Sequence, residues 1–300
     1  MGKKTRILYL LGLTLVTSTG LKAQTLKDKI FVSYGLFPST SFKRAGGESD
    51  LAKTAELQIG PPPIQLNQRL KWINTVSGRI NQFNFTNLEE AYSTTSSTLY
   101  DVQYGAIFIY DFKNPKWSLF SSSNIFLRSD FKESITSKSL FFSGLLMTNY
   151  NPDGNDNLVW SFGFAFANDF NRNVFIPIVG FTYNDDRYTI EVAYPRVNLL
   201  YKPRPKIEWG ITTSILGGIY KTESLLLPSL ERSEYTRTIT VQVGHTFNYL
   251  LTNKVVLNTC VGYAFVRNYD LMNKDFENIQ SVNLDLKGSL FLRTGVAIRL

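Results

Sequence analysis

The 300-residue sequence predicts an all-β protein, an antiparallel transmembrane β-barrel of about fourteen strands. Three observations predict this fold class. No helical period recurs after residue 24, and apolar and polar residues alternate instead. Several alternating segments are longer than the roughly 5–6 residues of an ordinary strand. A secretory signal precedes them, so the folded chain is expected outside the cytoplasm.

The N-terminus has the three parts of a secretory signal. A basic stretch at residues 3–6 precedes an apolar core at 7–16, and Ala23 stands at the expected cleavage site. The predicted organisation is therefore a signal peptide at 1–23 and one barrel at 24–300. An uncleaved anchor helix is the alternative, but the apolar core is shorter than a membrane-spanning helix needs.

The composition excludes several classes of protein. The chain is 43% hydrophobic and 14% aromatic, too apolar for a disordered protein. No run of 18 apolar residues follows the signal, which excludes a bundle of transmembrane helices. The signal carries four basic residues and no acid, so cleavage lowers the net charge from +8 to +4. That charge is too small for a nucleic-acid surface, and the single Cys260 has no partner for an internal disulfide.

The alternation is clearest at residues 235–250, where one face is mostly apolar and the other is small or polar. Tyr235 and Tyr249 end this apolar face, and Tyr100 and Phe112 end another, as in the interfacial girdles of a membrane barrel. A soluble exported β-sandwich also alternates and is the alternative fold. The predicted strands are 28–38, 52–61, 68–83, 99–112, 117–128, 138–150, 158–169, 174–183, 188–194, 197–202, 206–220, 235–250, 254–267 and 284–300.

The strand count depends on a division at Pro195, because proline cannot donate to a ladder inside a central strand. Without that division a twelve-stranded barrel is the alternative, since such barrels have an even number of strands. With both termini periplasmic, short turns alternate with longer outer loops. The long outer loops include 221–234 and 268–283, and residues 225–227 of the first form an apolar run that would fold into the mouth or contact a partner.

The last predicted strand indicates the destination of the chain. Residues 284–300 alternate and end at Leu300, where outer-membrane barrels carry an apolar or aromatic residue read by the barrel-assembly machinery. We therefore expect a Gram-negative outer-membrane location and contact with outer-membrane lipid and lipopolysaccharide.

Several short motifs resemble a known family. They are Phe-Ile-Pro-Ile-Val-Gly-Phe-Thr-Tyr at 175–183, Ala-Tyr-Pro at 193–195, Leu-Tyr-Lys-Pro at 200–203, Gly-Tyr-Ala-Phe at 262–265 and Leu-Phe-Leu-Arg-Thr-Gly at 290–295. The chain resembles an uncharacterised family of Gram-negative outer-membrane β-barrels, a domain of unknown function. The resemblance implies the barrel fold and brings no activity with it.

His245, the only histidine, is the one candidate for catalysis. A lipid-modifying enzyme would need a nucleophile beside it on the lipid face, and a strand period of two would place that serine at position 247 or 243. Those positions hold Phe247 and Val243. A non-enzymatic barrel, either a narrow channel for small solutes or a closed structural protein, is therefore the main hypothesis. A lipid-modifying enzyme using His245 is the alternative.

No metal or other cofactor is predicted, because one histidine and one cysteine cannot form a zinc set. The candidate functional residues are instead charges on the predicted lumen face. Since both signs occur, they either line a water path without strong selectivity or pair across a filled interior. They are Lys71, Arg79, Asp101, Asp111, Arg128, Glu191, Glu208, Lys287, Arg293 and Arg299.

Overall fold

The computed structural model describes residues 28–43, 48–49, 51–86, 98–152, 154, 157–168, 174–193, 196–227, 231–279 and 284–299. The predicted signal peptide, Pro195 and Leu300 lie outside the described residues.

One antiparallel sheet closes into a barrel of fourteen long strands. The sheet also holds the two-residue β5 (Ile64–Gln65), and pairing between β4 (Ala52–Ile59) and β6 (Leu70–Gln82) completes the closure. The long strands are β1 (Asp28–Phe37), β4 (Ala52–Ile59), β6 (Leu70–Gln82), β8 (Thr98–Asp111), β9 (Trp117–Ser129), β10 (Leu140–Tyr150), β11 (Leu158–Ala167), β12 (Val174–Asn184), β13 (Tyr188–Ala193), β14 (Arg196–Arg204), β15 (Ile207–Leu226), β16 (Arg232–Leu250), β17 (Val255–Met272) and β18 (Ser289–Arg299).

The predicted barrel of fourteen strands is confirmed, including the division near Pro195. Ala193 pairs with Arg196 in an antiparallel ladder, so β13 and β14 are separate strands and the twelve-stranded alternative is wrong. Strands β15 to β17 extend further than predicted. The predicted loop at 221–234 therefore lies largely within strands, and β18 begins at Ser289 rather than at 284.

The two faces of the wall differ as expected for a barrel in a membrane. On β1, Val32 and Tyr34 face outward and are 49% and 43% exposed, whereas Ser33 and Phe37 face inward and are buried. The same outward pattern of apolar and aromatic side chains recurs around the barrel. A closed sheet with an apolar exterior is suited to hydrocarbon, so the β-sandwich alternative is wrong.

The connections make the two ends of the barrel unlike. Short turns such as 185–187 and 205–206 form one end, which we call the short-turn end. The other, the long-loop end, carries a small sheet of β2 (Thr40–Ser41), β3 (Glu48–Ser49) and β7 (Phe85–Thr86). In outer-membrane barrels the short turns are periplasmic and the long loops extracellular.

Apolar side chains fill the long-loop end, where a group we call the outer cluster draws on strands and loops alike. Every buried member is less than 5% exposed, so this end of the lumen is covered. Its members are Phe42, Leu99, Tyr220, Leu227, Tyr269, Leu271, Ile279, Leu284 and Leu286, with Phe83 and Phe85 packed against them.

In its outer half, strand β15 bends into the lumen while it stays paired with β16. Gly217 has φ +135°, a conformation that L side chains rarely adopt. Beyond it, Lys221 pairs with Ser129 of β9, a strand that is not a wall neighbour of β15. The adjoining part of β16 is covered on both faces as a result. The predicted interfacial position of Tyr235 is therefore wrong, since its side chain is buried.

Candidate functional site in the lumen

Four charges of alternating sign lie side by side on the inner wall. Glu56, Arg79, Asp101 and Arg128 stand opposite one another on β4, β6, β8 and β9. Arg79 Nη2 lies 3.2 Å from Glu56 Oε1, and Arg128 Nε lies 3.1 Å from Asp101 Oδ2. The set has no net charge, so it carries charge pairs across the wall without favouring either sign of ion.

We call these four residues the charge ladder, and β15 covers its Arg128 end. The guanidinium of Arg128 lies 4.0 Å from the centre of the Phe126 ring. A Cβ atom placed on Gly218 of β15 would stand 2.8 Å from Arg128 Nη1. A larger residue there would displace the Arg128 guanidinium, because β15 packs directly on the charged pair.

Other predicted lumen charges form separate pairs. Lys71 Nζ lies 3.2 Å from Asp111 Oδ2 near the short-turn end, where both side chains are over 40% exposed. Arg299 Nη1 lies 3.9 Å from Glu208 Oε1, although β18 and β15 are not neighbours. This second contact therefore bridges separated strands of the wall.

The remaining three predicted charges have different surroundings. Glu191 lies 3.9 Å from Arg196 and accepts a hydrogen bond of 3.2 Å from Asn198. Arg293 is half-buried on β18, and its Nε atom has no hydrogen-bond partner. Lys287 precedes β18, is exposed, and bonds to β2 through its backbone, so it lies outside the barrel wall.

One half of the lumen carries three hydrogen-bonded groups of polar side chains, which together we call the polar wall. It runs over β13 to β17, where side chains on successive strands donate to one another at 2.6–3.2 Å. Because most of these groups are paired, they hold the wall rigid, although the buried Gln242 Oε1 has no hydrogen-bond partner among the described residues. The polar wall consists of Glu191, Asn198, Glu208, Thr212, Ser214, Gln242, Thr246, Asn248 and Asn258.

The opposite half of the lumen carries a layer of packed apolar side chains, the apolar belt, whose six buried members are each less than 10% exposed. Its members lie on two adjacent rows of cross-strand pairs that run from β6 to β12. Ile73 and Ile107, for example, are directly paired and both aliphatic. Polar bonds between Ser118, Asn149 and Ser161 bound it at the short-turn side. The apolar belt consists of Ile73, Ile107, Phe120, Leu145, Ala165 and Ile178, with Ile109, Met147 and Ile176 packed against them.

Ion pairs fasten the crossing strand to the loop after β9, and we call this contact the latch. Lys221 Nζ lies 3.1 Å from Glu133 Oε2, and the backbone N–H of Ser224 donates to Glu133 Oε1 at 3.1 Å. The hydrogen bond from Ser224, and after it the bond from Lys221, hold the pKa of the Glu133 carboxyl below its usual value. Lys132 and Glu223 form a second, exposed pair at 3.2 Å.

The short-turn end of the lumen is open, whereas the long-loop end is covered. A cavity of about 630 Å³ lies there, lined by polar groups that include Asn184, Lys202 and Glu208. Asp185 borders it and accepts backbone bonds from Tyr188 and Arg187, and the first of these is the main reason that its pKa is lowered. Charged and amide groups therefore surround this mouth.

His245 faces outward near the short-turn end of β16. Its direct neighbours across the sheet are Ile211 and Val261, and no hydrogen bond among the described residues involves its ring. The arrangement that lipid hydrolysis would require, a nucleophile bonded to the histidine, is therefore not formed within that part of the chain.

Neither a metal site nor a spanning helix is found in the described part of the chain. No group of three or more His, Cys, Asp or Glu residues there could hold a metal ion. None of its helices is long and apolar enough to cross a membrane.

Sequence reasoning missed several lumen residues. Glu56 completes the charge ladder, and the alternation of the 52–61 segment would have placed it on the inner face. The predicted strands leave Arg196 in a turn, whereas it begins β14. Arg237 pairs with Asp270 at 2.6 Å in the outer part of β16, on the face that the alternation predicts to be lipid-facing. No sequence signal marks that change of face, since it depends on β15 crossing the lumen.

Comparison with solved structures returns other barrels at low identity. The COG4313 outer membrane channel from Pseudomonas putida F1 is 12% identical over 90% of this chain and 94% of that chain, with a TM-score of 0.46. A TodX deltaS2S3 mutant monoaromatic hydrocarbon channel is 10% identical over 90% and 89%, with a TM-score of 0.47. LpxR from Salmonella typhimurium is 6% identical over 90% and 99%, with a TM-score of 0.37. Superpositions this loose carry no argument about function.

No curated protein matches the sequence. The family model described as a domain of unknown function, DUF6268, matches residues 19–299. Because that match spans nearly the whole chain, the resemblance predicted from the sequence motifs is confirmed, and the chain belongs to the DUF6268 family.

Proposed function

We propose that the protein is a non-enzymatic outer-membrane barrel that passes a small amphipathic solute and is closed to hydrated ions at rest. The observation that carries this proposal is the two-sided lumen. The apolar belt on β6 to β12 faces the polar wall on β13 to β17. An amphipathic solute would bury its apolar part on one side and hydrogen-bond on the other, as in other ligand sites.

The covered long-loop end supports the closed state. The outer cluster and the crossing β15 occupy the lumen there, and the latch fastens β15 to the loop after β9. A general porin would instead present a wide, water-filled lumen through its whole length. The paired charges of the ladder also offer no unpaired ring of one sign to draw ions.

Location and partners are part of the proposal. The apolar exterior is suited to a bilayer, and the family resemblance supports export to a Gram-negative outer membrane after removal of residues 1–23. There the exterior would contact lipid and lipopolysaccharide, and the C-terminal strand ending at Leu300 would be read by the assembly machinery. The alternative, a lipid-modifying enzyme, has no supporting contact at His245.

Transport across asymmetric vesicles tests the proposal. The purified chain is placed in vesicles with lipopolysaccharide in the outer leaflet, and uptake of an amphipathic dye is compared with uptake of a sugar of similar size. We expect the protein to speed the dye and not the sugar, with no large steady conductance in planar bilayers. Equal acceleration of both solutes would indicate an open pore and contradict the proposal, as would no acceleration of the dye.

A further inference from the structure

Arg267 of β17 is a buried cation without an acidic partner among the described residues. It is 3% exposed. Its Nη1 donates a hydrogen bond of 2.9 Å to the neutral hydroxyl of Ser289, and within the described part of the chain its side chain makes no other hydrogen bond and no ion pair. A buried charge is costly unless a counter-charge lies beside it. The position of Arg267 therefore favours an anion nearby.

The other buried arginines of the described residues show what Arg267 lacks. Each of them has a carboxylate oxygen within 4 Å of its guanidinium. These pairs are Arg128 with Asp101 at 3.1 Å, Arg196 with Glu191 at 3.9 Å, and Arg237 with Asp270 at 2.6 Å. Since the chain supplies a counter-charge in these three places, we infer that the counter-charge of Arg267 comes from outside the chain.

A small cavity borders Arg267 at the base of the outer cluster. Its volume is about 30 Å³. Phe83 lines the cavity and also packs against the outer cluster, while Leu216 and Gly217 line it where β15 bends into the lumen. Because a water molecule needs at least about 10–15 Å³ of such space, the cavity has room for one or two waters or a single small ion. The other lining residues are Phe37, Ala52, Lys53, Thr54, Asn81, Thr238 and Thr240.

This lining contains hydrogen-bond donors and no carboxylate. Thr240 stands directly opposite Arg267, and neither its hydroxyl nor that of Thr54 makes a hydrogen bond among the described residues. Lys53 lies between the inward-facing Ala52 and Thr54, so the strand period of two turns its side chain outward. The cavity therefore has one inward positive charge, from Arg267, and two unbonded hydroxyls.

The surroundings of the cavity strengthen the attraction of Arg267 for an anion. The guanidinium carbon lies 5.2 Å from the centre of the Phe37 ring, and an apolar group that includes Phe37, Ala52 and Phe291 packs beside it. A ring face offsets only part of the cost of burying a full charge. Away from bulk water the attraction between opposite charges is larger. A single positive charge in a space this small matches a small monovalent anion and not a large divalent one.

We propose that the cavity at Arg267 binds a small monovalent anion of about the size of chloride. The guanidinium supplies the counter-charge, and the hydroxyls of Thr54 and Thr240 donate hydrogen bonds. Because Leu216 and Gly217 line the same cavity, the bound anion also stabilises β15 in its bent position. The inference does not depend on the proposed function, since an anion held here neither requires nor prevents the passage of an amphipathic solute.

The stability of the refolded barrel tests the site. Folded, heat-modifiable barrel is measured along a urea series while sodium chloride replaces sodium gluconate at constant ionic strength. Once chloride exceeds its dissociation constant, the ratio of folded to unfolded chain should rise about tenfold for each tenfold increase in chloride. Arg267→Gln should lose this dependence. Arg237→Gln is the matched control and should keep it, because the counter-charge of Arg237 is Asp270.

The direction of the effect separates an anion site from a general salt effect. In gluconate alone Arg267→Gln should be more stable than the parent, because the substitution removes an unpaired buried charge. Added chloride should close this difference. Equal responses to chloride in the parent and Arg267→Gln would overturn the site, and so would the lack of any response in the parent.

Crystals of the parent grown in sodium bromide give a second measurement that does not depend on the folding of any variant. We expect an anomalous bromide peak in contact with the Arg267 guanidinium. Water alone in the cavity would overturn the proposal. A bromide peak without a chloride effect in the urea series would indicate binding at crystal concentration only, and would also overturn it.

Discussion

Asp101 and Arg128 stand directly opposite each other on β8 and β9, with Arg128 Nε 3.1 Å from Asp101 Oδ2. Both side chains are less than 10% exposed, and Arg79 flanks Asp101 on its other side. Removing the Asp101 charge would leave the Arg128 guanidinium buried without this counter-charge, which is more costly than losing an exposed pair.

The first prediction concerns this buried pair. Asp101→Asn should lower the free energy of unfolding by about 3–5 kcal/mol, because the Arg128 guanidinium keeps its burial and loses its counter-charge. Lys71→Met is the control, since the pair of Lys71 with Asp111 is exposed and should be worth only about 0–1 kcal/mol. The fraction of folded, heat-modifiable barrel along a urea series measures both. A similar small loss in both variants would contradict the prediction.

The second prediction concerns the turn of β15 into the lumen. Gly217→Ala should destabilise the barrel, because the added Cβ would stand 2.0 Å from the carbonyl oxygen of Thr238 in a residue with φ +135°. Gly78→Ala is the matched control, since a Cβ there meets nothing within 4 Å. The same urea series should show a marked loss for Gly217→Ala and nearly none for Gly78→Ala.

The alternation of the sequence predicts the strands well because every strand has one face toward lipid and one toward the lumen. It identifies Asp101 and Arg128 as inward-facing, but only the strand register shows that they are opposite each other. Alternation fails in the outer part of β15, where Ile219 has the parity of a lipid-facing residue and is nevertheless buried. The covering surface comes from β9 and β10, which are distant in sequence, so no local pattern contains it.

The third prediction concerns the pH dependence of the latch. The folded state lowers the pKa of Glu133, so its stabilising contribution is complete above the ordinary glutamate pKa. That contribution is lost as the pH falls through the lowered value, when the carboxylate is protonated and releases Lys221. Proteolysis of the loop after β9 should therefore increase in acid.

Asp130 and Glu223 lie in the same contact and also titrate. The difference between the parent and Glu133→Gln is therefore the informative quantity. The variant should be cleaved faster than the parent at neutral pH, and the two should converge in acid. Parallel curves at all pH values would show that Glu133 does not control the latch.

The final prediction compares one substitution at two positions of β15. Ile219 and Ile211 share the outward parity, but Ile219 is 1% exposed against Phe126 and Phe141, whereas Ile211 is 42% exposed on the lipid face. Ile219→Ala should cost about 2–5 kcal/mol, because it leaves a cavity between the crossing strand and the inner wall. Ile211→Ala leaves no such cavity and should cost much less. If β15 closes the lumen, Ile219→Ala should also produce transient current steps in planar bilayers, and Ile211→Ala should not. Current steps in both variants, or in neither, would show that closure does not depend on the contact of Ile219 with Phe126 and Phe141.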